Sequence, residues 1–90
     1  MKELLQDIIT QHVPQGCIFD AHSIIEYLIQ NHSDIYLSSF KNGTTESYHS
    51  VISKNIDSFD GIIIDRMRGN ESWSSNIHNK FTKNACWIKR

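Results

Sequence analysis

An α+β fold, mainly helical, with about four helices and a C-terminal two- or three-stranded wing, is what three features of the sequence predict. Apolar residues recur at steps of three and four through the first two-thirds of the chain. Pro14, Gly16 and the Asn42-Gly43 pair separate those stretches. Runs of strand type, Ile62-Ile63-Ile64 and Ala85-Cys86-Trp87-Ile88, are confined to the last third. Ninety residues suffice for one hydrophobic core and no more, so residues 1–90 form a single domain.

The first helix carries Leu4, Leu5, Ile8, Ile9 and Val13 on one stripe. Pro14 pushes the preceding residue out of the helical region, so this helix runs from about Lys2 to His12. Asp20, whose carboxylate can accept from first-turn amides, caps a second helix with Ala21, Ile24, Ile25, Leu28 and Ile29 inward. Asn31-His32-Ser33 ends it, and Ser33 can cap a shorter third helix carrying Ile35, Tyr36, Leu37 and Phe40. After Asn42-Gly43, Thr44 and Thr45 offer a new cap, and Tyr48, Val51, Ile52, Asn55, Ile56 and Phe59 mark a fourth helix to about Ser58. Asp60-Gly61 turns the chain into a strand from Ile62 to Arg68, residues 69–84 read as a polar loop, and residues 85–88 as the closing strand.

The net charge of −1 hides an asymmetry. Residues 1–59 hold three lysines against seven acids, whereas residues 60–90 hold six basic side chains against three acids. Positive charge is thus concentrated where a polyanion would be met. The longest aliphatic run, Ile62 to Ile64, falls far short of the roughly 20 residues a membrane-spanning helix needs. Acids among the first residues are unlike a secretory leader, so a cytoplasmic chain with no membrane partner is expected. Cys17 and Cys86 form no Cys-x-x-Cys pair, and both read as buried free thiols.

The order of helix, short extended piece, three helices and a strand pair resembles the winged helix-turn-helix superfamily. In that likeness Ile18-Phe19 is the short first strand, residues 44–58 are the recognition helix and residues 62–88 are the wing hairpin. The spacer from Asn31 to Gly43 is longer than the motif's usual turn of about three or four residues. The resemblance implies a non-enzymatic module that binds duplex DNA, a small regulator. Thr45, Ser47, His49, Ser50 and Lys54 would face a major groove, and Arg66, Arg68, Lys80 and Lys83 the backbone or minor groove. The helix lacks Arg, and its first turns lack Asn and Gln, so the strong bidentate pairings to guanine and adenine are missing. A homodimer is among the partners expected for such a DNA-binding module, and the acidic first two-thirds supports the alternative, a protein-interaction adaptor or inhibitor of the same fold.

Catalysis is not expected. His12, His22, His32, His49 and His78 have neither zinc-finger nor paired helical spacing, so no metal site is predicted. Ile77-His78-Asn79-Lys80 is a bare fragment of a His-Asn-His nuclease pattern, and Asp65 is followed by Arg66-Met67 where acid-x-Lys would be wanted. No Gly-x-Ser-x-Gly turn or phosphate-cradling Gly cluster occurs, and no small-molecule cofactor is implied. Trp87 is expected in the core with its indole N–H paired at the rim, and Trp73 as a core or loop anchor.

Overall fold

A computed structural model describes residues 1–90, apart from the side chain of Asn70. The elements follow in the order α1 (Lys2–His12), β1 (Ile18–Asp20), α2 (Ala21–Asn31), α3 (Ser33–Ser38), α4 (Thr45–Asp57), β2 (Ile64–Ser75) and β3 (Phe81–Lys89). The strands form one antiparallel sheet in the order β1-β3-β2. Helices hold 46% of the chain and strands 27%. The chain is therefore α+β with a substantial sheet, and "mainly helical" undervalues β2 and β3.

Helix starts are set by side-chain caps where the chain supplies them. Asp20 accepts from the Ser23 amide at 2.9 Å and its backbone carbonyl accepts from Ser23 Oγ, which closes the first turn of α2. Thr44 and Ser47 form a reciprocal capping box at α4. Gly43, at φ +93°, delivers the chain into that box, and a Cβ there would lie 2.9 Å from Ser47 Oγ. α3 begins at Ser33 with His32 as its cap residue and no side-chain cap bond, so Ser33 is the first helical residue rather than the cap.

The core is one cluster between the helices and one end of the sheet. Leu5 and Ile9 of α1, Leu28 of α2, Ile52 and Ile56 of α4, Ile64 of β2 and Trp87 of β3 are its fully buried side chains. Tyr36 ties the short α3 to α4: its backbone carbonyl accepts from Tyr48 Oη at 2.5 Å, and Phe40 packs edge-on against the Tyr48 ring. The long spacer after α2 is thus a packed helical step.

The largest departure from expectation is the C-terminal third. β2 begins at Ile64 rather than Ile62 and continues to Ser75, while β3 begins at Phe81, so most of the predicted loop 69–84 is hairpin. A register shift between Arg66 and Glu71, with Gly69 at φ +80°, bends β2 midway. The tip is a three-residue connection, Ile77-His78-Asn79, closed by the Asn76 amide donating to the Lys80 carbonyl at 2.9 Å. Asn79 takes the left-handed position, φ +60°, that such loops need, and Asn76 Oδ1 accepts from the amides of His78 and Lys80. Ser, Asn and Thr alternation hid this ribbon, because its stabilisation lies in polar cross-strand bonds and not in an apolar face.

Candidate functional site

The hairpin curls back over the start of α2. On its inner face Asn84 Oδ1 accepts from the His22 amide at 3.0 Å, Ser74 Oγ meets His22 Nδ1 at 2.7 Å, and Ser72 Oγ donates to Asp20 at 2.7 Å. Burial raises the Asp20 carboxyl, but hydrogen bonds from Ser72, the Ser23 amide and Ser74 outweigh it and hold the group below the usual carboxylate range. The tip consequently reaches the first turn of α4, where His78 Nε2 lies 3.8 Å from Glu46 Oε1. Between the tip, α2 and α4 lies a cleft of about 360 Å³ lined by His22, Glu26, His49 and Ile77, among others.

The nine residues predicted to touch nucleic acid differ in how accessible and how committed they are. On α4, Ser50 and Lys54 are exposed and Thr45 is half-buried. Ser47 Oγ is engaged with the Thr44 amide and carbonyl in the capping box. His49 is half-buried with Nε2 2.6 Å from Tyr36 Oη. On the hairpin, Arg66 Nη1 lies 3.3 Å from Asp57 Oδ1, and its guanidinium sits 5.7 Å from the Trp87 ring centroid. Its Nε is buried without a hydrogen-bond partner among the described residues. Arg66 therefore belongs to the core rim, whereas Arg68 is 75% exposed but paired with Asp60 at 2.8 Å. Lys83 Nζ is 4.0 Å from Glu71 and 5.4 Å from the Trp73 ring centroid. Lys80 and Lys54 are exposed and have no ion pair among the described residues.

Alternation alone placed Arg66 and Arg68 on one accessible face, but the acids that pair with them come from the end of α4 and the turn after it. Asp57 and Asp60 lie only nine and eight residues before their arginines, but counting charges does not show that the turn folds them onto one another. Asp65, similarly, is held below its ordinary range by hydrogen bonding to Arg90.

Two aromatic and cysteine expectations also need correction. Trp73 is 61% exposed, because it lies on the outer face of a ribbon that extends past the core. Cys17 is exposed and Cys86 buried. Trp87 is fully buried, with Nε1 donating to Asp57 Oδ1 at 2.9 Å. No group of three or more His, Cys, Asp or Glu among the described residues is placed to hold a metal ion. Among the described residues, no helix is long and apolar enough to cross a membrane.

Burial of His49 makes the packing of α4 against α3 pH-sensitive. Burial lowers the His49 pKa below 6.5, and His22 and His78 lower it further against an opposing effect of Glu46. The folded state then binds fewer protons at His49 than the unfolded chain between the two pKa values, so stability rises with pH across that interval. Its contribution is complete above about 6.5, the unfolded value, and is lost as pH falls through the folded one. Denaturant midpoints measured from pH 7.5 to 5 should decline, and His49→Gln should flatten the decline; an unchanged slope in that variant would exclude His49 as its source.

No protein-family model matches the chain, and comparison with curated proteins and with solved structures finds no significant relative.

Proposed function

We propose that the chain is a winged-helix module that binds duplex DNA, with α4 as the helix presented to a groove and the β2-β3 hairpin as the wing. The observation that carries this reading is topological. A short strand before the second helix pairs with the last strand, in the order β1-β3-β2, and the hairpin tip lies beside the first turn of α4. Helix and hairpin can then address one duplex together. Ser50 and Lys54 on α4, with Arg68, Lys80 and Lys83 on the hairpin, are the accessible contacts. Phosphate contacts by such side chains set register without reading sequence.

Fluorescence anisotropy on a 20-base-pair duplex over a salt series tests this. Affinity should fall linearly on logarithmic axes, and Lys54→Ala and Lys80→Ala should each flatten the slope by about 0.9, the value of one phosphate contact. Absence of binding at low salt rejects the reading.

A second reading, a protein-interaction adaptor or inhibitor of the same shape, has its own support. Arg66, Arg68 and Lys83 are already matched by acids, and Leu37, Val51 and Ile62 are exposed. A chain that ignores duplex DNA but self-associates or retains a defined protein through size exclusion would favour it.

A further inference from the structure

We propose that the cleft between α2, the N-terminal half of α4 and the hairpin tip is a binding site for a small organic cation, a primary amine carrying one apolar ring. This goes beyond the DNA-binding reading and does not depend on it.

The walls of the cleft are fixed before anything enters. On the α2 side the His22 amide donates to Asn84 Oδ1 and the ring Nδ1 meets Ser74 Oγ at 2.7 Å, which holds the hairpin down. At the tip Asn76 Oδ1 accepts from the amides of His78 and Lys80 and locks the turn. On the α4 side His49 is anchored through Nε2, 2.6 Å from Tyr36 Oη. At about 360 Å³ the space lies at the small end of the roughly 300–1,000 Å³ that ligand sites span, which suits one ring with a short chain.

Its floor is apolar. Ile25 is buried and Ile29 half-buried, while Ile77 stands 44% exposed at the hairpin tip. The turn draws its bonds from Asn76 and its left-handed residue from Asn79, so it makes no local use of an isoleucine. Ile77 lines the cleft instead, where a ligand would take its remaining apolar surface out of water.

The polar groups select the charge. Among the described residues no Lys or Arg lines the cleft. Glu26 does, and it has no ion pair among the described residues. Its Oε1 accepts from the neutral Gln30 amide at 3.2 Å, one turn along the same helix, so the carboxylate charge is uncompensated. Gln30 also lines the cleft, and with Nε2 engaged in that bond it offers Oε1 as an acceptor. Burial holds the His49 pKa below its ordinary value, so the ring is uncharged at neutral pH. With Nε2–H donated to Tyr36, His49 Nδ1 is a further acceptor. Glu46 adds a second carboxylate near enough to act on His49. A carboxylate and neutral acceptors above an apolar floor match an ammonium group, which donates and never accepts, on a hydrocarbon body. An anion would meet Glu26 with no lysine or arginine to offset it.

The experiment titrates the whole protein with phenethylamine and reads amide nitrogen–proton spectra, with phenethyl alcohol and phenylpropionate as neutral and anionic probes of similar size. The amine should give saturable shifts at His22, Glu26, His49 and Ile77. The alcohol should bind about 2- to 10-fold more weakly, the effect of an ion pair at a partly open rim, and the carboxylate more weakly still. Glu26→Gln should lower amine affinity by a similar factor and leave that of the alcohol within about twofold. Ile77→Ala should weaken amine and alcohol alike by about 3- to 10-fold, through lost apolar contact. The dispersion of each variant's spectrum verifies folding.

Equal affinity for amine and alcohol, unaltered by Glu26→Gln, overturns the selection for a cation, as does tighter binding of phenylpropionate. Shifts that fail to saturate by about 10 mM, weak even for so small a molecule, overturn the site itself. Shifts confined to residues away from the cleft overturn it as well.

Discussion

Replacing Trp87 by alanine should lower the stability of the domain by about 3–5 kcal/mol, the range for removing a buried large aromatic side chain. Trp87 is 0% exposed and stands where β3 meets both neighbouring strands, paired with Phe19 on one side and Arg66 on the other. Its ring lies 5.6 Å from that of Phe19 and 5.7 Å from the Arg66 guanidinium, while the indole N–H donates to Asp57. Truncation removes packing from β1, β2 and α4 at once and leaves Asp57 without one donor. A chain of this size has a total of about 5–13 kcal/mol, at roughly 0.05–0.15 kcal/mol per residue. The variant should therefore melt far lower, by about 4–8 °C for each kcal/mol lost. Trp87→Phe should recover most of the packing and not the hydrogen bond. Denaturant midpoints of the three proteins check this; equal midpoints for the wild type and the alanine variant would show that the sheet is held to the helices elsewhere.

The contrast between Trp87 and Trp73 shows what could be read from the chain and what could not. Helices with strong apolar periodicity were legible: the bounds of α1 coincide with the expected Lys2 and His12, and α4 starts at Thr45 as its cap signals require. Trp87 sits in an apolar run and its burial follows from that. Trp73 sits among serines and asparagines, where strand and loop have the same local composition, and only long-range bonds such as Asn84 Nδ2 to the Ser72 carbonyl identify a strand. The charge asymmetry of the last third was correctly counted but differently distributed in space. Asp57 and Asp60, which belong to the acidic side of that count or to its border, fold directly onto Arg66 and Arg68. Both pairs lie within twelve residues of sequence, but the turn that brings the side chains together is not given by counting charges. His49 shows the same limit, since its helical position left it apparently outward until Tyr36 of α3 closed over it.

Asp57→Ala should cost about 2–3 kcal/mol, because one carboxylate oxygen serves two donors and removing it leaves an indole N–H in the core rim unpaired. Oδ1 accepts from Trp87 Nε1 at 2.9 Å and lies 3.3 Å from Arg66 Nη1. The Asp57 side chain is 37% exposed, so the ion pair itself contributes only about 0.2–1 kcal/mol, and the unpaired indole dominates the loss. Asp57→Asn separates the two effects. Its amide oxygen can still accept from the indole, while the charge that holds Arg66 is gone, so the stability loss should stay under about 1 kcal/mol. On the proposed DNA-binding reading the same substitution should strengthen duplex affinity at low salt and steepen its salt dependence by about 0.9 if Arg66 then reaches a phosphate. Paired denaturation and salt-series binding measurements distinguish the outcomes. A steeper slope places Arg66 at the interface under the control of Asp57. An unchanged slope with intact folding confines Arg66 to its place over the Trp87 ring, where its buried Nε already argues for a structural role.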